Sequence, residues 1–483
     1  MRRLSVLIIV ALLAIACGCD KKPVPNPHHS SDPVEEQQSG GEQQGGEQPG
    51  GGQQGGGQQG GETQPAEEPQ PLDDSYSPVS IHSVVDAVQP STGLVLWSDN
   101  ARSRNFTYGE SIALEYAYCL PCKVVTGKKD GKIQYDWSSF DSWLDDVASR
   151  NHQAVVRFRY EYPGSRDVDG KAGTTAVPAY IKSMGGYSET YNKPRDGATY
   201  YADWTNAELQ WFTKQFYTDF NAVYKNDPRI AFVEVGFGHW SEYHIDGTTL
   251  NLGVNFPSKS YQKEFLLHLG DVLEMPWLIS IDAAATKYSP IIRDNTLMDL
   301  TFGLFDDSFM HEDHGSYNDE CWTNIGKRVR WQTGACGGEI SYYSSSDQRN
   351  FLNPAGMYGT TWEKAAARYH ITFMIANDAP GGTYGTAARF KEASMYSGYN
   401  FALTALYANG EYTIADVTNT GIAPIYRDAY LAVGGVRSRI SLKGLLPGEV
   451  RRVSVDKPTD GSDVTIESDY ILPTQRIQFD ADL

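Results

Sequence analysis

"NAELQWFTKQFYTDFNAVYKNDPRIAFVEVGFG", residues 206–238, places a helical pattern of apolar residues directly before a short apolar strand, and that order recurs through the chain. On one side lie the strand-like runs "TGLVLWSD" (92–99), "ESIALEYAY" (110–118) and "QAVVRFRYEY" (153–162). On the other lie "PWLISIDAA" (276–284), "LTFGLFDDSF" (300–309) and "ACGGEISYY" (335–343). Helical patterns separate them: "SFDSWLDDVASRN" (139–151), "SYQKEFLLHLGDVLE" (260–274), "NDECWTNIGKRVRWQTG" (318–334) and "TTWEKAAARYHITFMIAN" (360–377). Strand and helix in alternation imply a parallel sheet. Seven strands and an eighth expected near "GGTYGTAARF" (381–390) predict a closed (β/α)8 TIM-like barrel over residues 77–398. An open doubly wound sheet would need a phosphate-binding glycine turn after strand one, and "WSDNARSRN" offers none.

Near residue 400 the period changes to two. Runs between Asn-Gly, Gly-Gly and Asp-Gly turns, as in "NFALTALYANGEYTIADVTNTGIAPIYRDAYLAVGG", predict a small antiparallel β-sandwich over 399–483. Packing against the barrel is its expected role.

The other end is not a folded body. "MRRLSVLIIVALLAIA" has a basic start and an apolar run too short to span a bilayer, as a secretion signal does. It resembles a bacterial lipoprotein signal, which implies acylation at Cys17, or at Cys19 as the alternative. Residues 20–76 are Gly, Gln, Glu and Pro with almost nothing to bury, a composition that predicts a disordered tether. The expected location is therefore outside the cytoplasm, lipid-anchored at the outer-membrane surface or in the periplasm.

The chain has 483 residues, 40% of them hydrophobic, and a net charge of −19. So acidic a protein repels phosphate backbones, and no basic stripe with interleaved aromatics is present, so nucleic acid is excluded as a partner. Cys119-Leu-Pro-Cys122 is half of a zinc ribbon without a second close pair, since Cys321 and Cys336 lie fifteen apart. Disulfides within each pair or free thiols both fit an exported protein.

Barrel chemistry sits at the carboxyl ends of the strands. Strand one ends at Trp97 and Asp99. Strand three carries Arg157, Arg159, Glu161 and Tyr162, and strand four ends in His239, Trp240, Glu242, Tyr243 and His244. Asp282, the pair Asp306 and Asp307, and Glu339 with Tyr342 and Tyr343 end strands five, six and seven. Flat aromatic faces suit sugar rings, while carboxylates bind hydroxyls and carry acid and base chemistry. Glycoside hydrolysis needs two carboxyl groups across the scissile bond, and Glu242 and Glu339 are the predicted pair. Asp306 and Asp307 compete for the second role. Trp97, Arg157, Arg159, His239, Trp240, Tyr243, His244, Asp282, Asp306, Asp307 and Tyr342 are the predicted carbohydrate-binding residues. The His239-Trp-Ser-Glu242-Tyr-His244 spacing differs from the His-Glu-x-x-His of zinc proteases, and no metal or cofactor is assigned.

The positions of Glu242 and Glu339 resemble those of acid and nucleophile in the large clan of retaining glycosidases on this barrel. "DPRIAFVEVGFGHWSEYH", "LFDDSFMHEDHGSY", "TGACGGEISYY" and "VTNTGIAPIY", in that order, resemble the domain of unknown function 4832 family. That resemblance covers most of residues 80–450 and implies an exported glycoside-hydrolase-like barrel followed by a small β domain. The family's strand-four motif, Gly-x-Trp-Gly-Glu-Trp-His, stands here as Gly238-His239-Trp240-Ser241-Glu242-Tyr243-His244, with Ser241 and Tyr243 departing from it. Residues 108–164 also resemble beta-galactosidase-like barrels, through Tyr135-Asp136-Trp137 and Arg157. Together these readings predict a glycoside hydrolase acting on a polysaccharide or oligosaccharide, with a glycan-binding module that cleaves nothing as the alternative.

Overall fold

The computed structural model describes residues 69–312, 316–326 and 329–483. The signal, Cys17, Cys19, most of the tether, Asp313 and His314 lie outside the described residues. Eight parallel strands close into a barrel: β1 (Gly93–Trp97), β2 (Leu114–Cys119), β3 (Gln153–Phe158), β4 (Ile230–Val235), β5 (Trp277–Ser280), β6 (Gly303–Phe309), β7 (Cys336–Ile340) and β8 (Phe373–Ile375). The closing pair sets Phe373 opposite Gly93.

Strand eight is not where the sequence pattern predicts it. "TTWEKAAARYHITFMIAN" splits into a helix, Trp362–Tyr369, and β8 itself. His370 takes a left-handed conformation with φ 53°, which stops the helix, and the β-branched and aromatic residues that follow suit a buried strand. Residues 381–386 of the expected strand form a loop, and Thr386 caps a helix over Ala387–Tyr396 by accepting from the Arg389 N–H.

The helices follow from amphipathic spacing. Ala207–Tyr224 starts at Asn206, whose side chain accepts from the Leu209 N–H, and lays Leu209, Phe212, Phe216 and Phe220 against the barrel. Inside the barrel the alternate residues stack in layers, with Leu114, Val155, Phe232, Leu278, Phe305 and Phe373 filling the lower part. Phe232 and Phe373 stack with ring centroids 4.9 Å apart.

The C-terminal region forms two antiparallel-based sheets around a second core that includes Phe401, Val417, Leu431, Val453, Ile466 and Phe479. Ser77–Pro78 and His82–Ser83, which precede the barrel, pair into the larger of these sheets. This unit packs on the amino-terminal end of the barrel: Tyr426 joins the interior cluster and donates to the Trp331 carbonyl at 2.6 Å, and Gln153 Nε2 donates to the Tyr470 carbonyl at 2.9 Å. The four described cysteines are free thiols. No helix among the described residues is long and apolar enough to cross a membrane.

Candidate active site at the carboxyl end of the barrel

Above the apolar layers the interior turns polar around Arg157, which points inward from β3 and is wholly buried. Its Nε donates to Glu234 Oε2 at 2.7 Å, and the Tyr116 hydroxyl donates to the same oxygen at 2.8 Å. Its Nη1 lies 2.5 Å from Glu242 Oε1 and 3.4 Å from Glu339 Oε1. Sharing one nitrogen, those two oxygens lie at most about 6 Å apart, an upper limit compatible with the roughly 5–5.5 Å of a retaining pair. Burying this many charges is tolerable only because each is paired. Desolvation raises the Glu234 pKa, against the pull of Arg157.

The segment that presents Glu242 is strained. Trp240 (φ 52°), Ser241 (φ 66°) and Tyr243 (φ 63°) are all left-handed, a conformation that non-glycine residues adopt at a cost of about 1–3 kcal/mol each. Hydrogen bonds over-determine it. His239 N–H donates to the His244 carbonyl at 2.9 Å, Tyr243 N–H to Phe237 at 2.8 Å and Trp240 N–H to Glu161 at 3.1 Å, while the Ser241 hydroxyl donates to the Phe158 carbonyl at 3.1 Å. Gly236 and Gly238 make room, since a Cβ on either would overlap the carbonyl oxygen of Ser241 or of His244.

Around this floor stands a half-exposed rim. Trp97 Nε1 donates to the Tyr342 hydroxyl at 3.1 Å, and Trp97 packs against Tyr116 and Tyr118 at 4.7 and 5.0 Å. Trp240 meets Tyr162 edge-on at 5.8 Å. Asp307 and Asp282 are the rim carboxylates, both partly exposed. His244 Nδ1 is 3.2 Å from Asp282 Oδ2. Burial opposes charge on that ring, but the hydrogen bond to Asp282 and the charges of Asp246, Asp282 and Asp307 outweigh it and bring the pKa up to about 10. Ligand atoms of Glu242, His244 and Asp307 lie within 4.8 Å of one another, a grouping able to hold a cation. The Arg157 guanidinium already supplies positive charge there.

The predicted residues therefore divide. Arg157, Glu242, Glu339, His244, Asp282, Asp307, Trp97, Trp240 and Tyr342 meet at the mouth. Asp306 does not: it faces the barrel's outside, accepting from Trp322 Nε1 at 2.8 Å and Asn318 Nδ2 at 2.9 Å. Burial raises its pKa well above the usual carboxylate range. Tyr243 is fully buried among Phe237 and Phe256, so it lines no cleft. His239 pairs through Nε2 with the Tyr201 hydroxyl at 2.9 Å, and burial holds its pKa well below the ordinary value. Arg159 is buried, paired with Asp167 and lodged against the rings of Tyr118 and Tyr162. Sequence reasoning missed Glu234, Tyr116 and Asn377, whose Oδ1 accepts from the Trp97 N–H at 3.2 Å. A carboxylate inside an otherwise apolar parallel strand was the available signal for Glu234.

No protein-family model matches the chain, and no curated protein matches it. Solved structures with a similar fold include a GH39 beta-xylosidase from Caulobacter crescentus (11% identity, TM-score 0.35, covering 74% of this chain and 85% of that one). Others are endo-glycoceramidase II from Rhodococcus sp. (9%, 0.38, covering 79% and 100%) and a GH10 xylanase with a bacterial Ig-like domain from termite gut (11%, 0.35, covering 65% and 76%).

Proposed function

We propose that this chain is a glycoside hydrolase that acts on a polysaccharide or oligosaccharide with retention of configuration. The observation that carries the reading is the carboxylate pair of Glu242 and Glu339 on one Arg157 nitrogen, at distances that allow a retaining separation. In the first step a Glu339 oxygen bonds to the anomeric carbon as the bond to the leaving oxygen breaks, and Glu242, which enters this step protonated, gives its proton to that oxygen and is left as the carboxylate that Arg157 holds. In the second, water attacks the same carbon, Glu242 takes the water's proton, and Glu339 leaves as a carboxylate. Trp97, Trp240 and Tyr342 offer faces to the sugar, and Asp307 and Asp282 accept its hydroxyls. Membership of the domain of unknown function 4832 family is part of the proposal. It is supported by residue 241, a glycine in that family's motif, being left-handed here. Export and a lipid anchor at Cys17 or Cys19 complete the reading.

A second reading, a glycan-binding module, is favoured by burial: Glu339 is 0% and Glu242 2% exposed, while the rim carboxylates reach solvent. One experiment separates the two. The full chain is incubated with a glycan panel, with reducing-end release and binding both recorded, beside Glu242→Gln and Glu339→Gln. Hydrolysis predicts release that falls about 10²–10⁴-fold in Glu242→Gln while binding persists. Binding without release from any bound glycan would establish the module instead.

A further inference from the structure

A second concave site lies on the flank of the barrel, away from the mouth. Between the helix Tyr317–Gly326 and the end of Trp362–Tyr369 a cavity of about 190 Å³ remains, over Leu304 and Cys336 on the outer face of β6 and β7. Asp319, Trp322, Thr323 and Gly326 fall at i, i+3, i+4 and i+7, so one helix face lines the gap, with Asp319 and Trp322 reaching the neighbouring helix at its edge. A Cβ at Gly326 would meet Leu304 Cδ1 at 3.5 Å, an ordinary contact distance.

The lining combines flat rings with a paired charge. Trp322 and Tyr369 lie at 5.2 Å, and Trp331 stacks on His370 at 3.6 Å. Arg368 Nη2 and the Tyr369 hydroxyl both donate to Asp319 Oδ1, at 2.6 and 2.8 Å, leaving Oδ2 outside that pairing. The Arg368 side chain is 62% exposed and its partner 29%, so donors and acceptors remain within reach of a ligand. A cavity of roughly 150 Å³ accommodates benzene when its walls are apolar. This one is larger and has a polar edge, where Asp319 pairs with Arg368, while Arg330 at its back spends its donors on the carbonyls of Ile325, Leu300 and Met298.

We propose that the cavity binds one pyranose residue of a neutral glycan, with a ring face against the aromatic side chains and hydroxyls on Asp319 and Arg368. This goes beyond the proposed hydrolysis and does not depend on it: a second contact would hold a chain on the flank whether or not the mouth cleaves it. Calorimetric titration of the full chain with neutral mono- and oligosaccharides tests it, beside Arg368→Ala, at the surface, and Thr323→Trp, which fills the gap. The expected result is a saturable site in the wild type that weakens tenfold or more in both variants, each still folded by circular dichroism. Reducing-end release is recorded in parallel, so loss of flank binding and absence of hydrolysis are scored separately. If Thr323→Trp does not fold, Arg368→Ala alone decides. Wild-type protein without saturable binding of any neutral sugar, binding confined to charged sugars, or variants that bind as the wild type does would overturn the proposal.

Discussion

Ser241 shows what a single residue contributes. It holds a left-handed conformation that a glycine would adopt freely, and its hydroxyl bond to Phe158 offsets part of the strain. Ser241→Gly is therefore expected to keep or raise stability, by up to about 1 kcal/mol in chemical denaturation. Gly238→Ala, in contrast, should cost about 2 kcal/mol or more, because φ there is 79° and the new Cβ meets the His244 carbonyl. His244 gives a pH prediction. Its folded pKa, about 10, lies above the ordinary 6.5, so its contribution is fully present below about pH 6.5 and is lost as pH rises through 10. Thermal melts of the wild type should consequently fall more between pH 6.5 and 10 than those of His244→Gln. Equal slopes would show that the Asp282 pairing does not hold the proton.

At the scale of elements, β7 is built to pass a crowded place. A Cβ at Gly337 would press into the Phe373 ring, and one at Gly338, with φ 135°, would overlap the backbone of Asp306. Gly337→Val is expected to destabilise by about 1–3 kcal/mol through overpacking, and to displace Glu339 two residues on. Beside it, β3 and β4 share the Arg157 to Glu234 pair. Glu234→Ala should cost about 3–5 kcal/mol, since it strips a buried cation of one partner. Urea denaturation measures both. A cost for Glu234→Ala below about 1 kcal/mol would mean that Glu242 and Glu339 suffice to balance the guanidinium.

Over the whole molecule, the C-terminal sheets act as the floor of the barrel. Tyr426 fills the amino-terminal end, so Tyr426→Ala should cost about 3 kcal/mol or more, from lost packing plus the bond to Trp331. Much of this architecture is legible in the chain: strand and helix alternate in order, the change to period two marks the second unit, and Glu242, Arg157 and Glu339 fall at strand ends that must converge. What misled the reading was local. "TTWEKAAARYHITFMIAN" reads as one helical pattern, which His370 ends by turning left-handed, and "FDDSF" cannot tell which aspartate faces inward.

Sequence by itself determined the parallel barrel, the β unit behind it and the residue types at the mouth, because periodicity and chain order survive without knowledge of contacts. Tertiary structure decided the rest. Side-chain parity on β6 sent Asp306 outward and left Asp307 at the rim, and the loop from Gly238 to His244 turned Tyr243 into the core. Only the closed sheet, which brings β3, β4 and β7 around one axis, could put three carboxylates on Arg157, since those residues are 77, 85 and 182 positions from it in the chain.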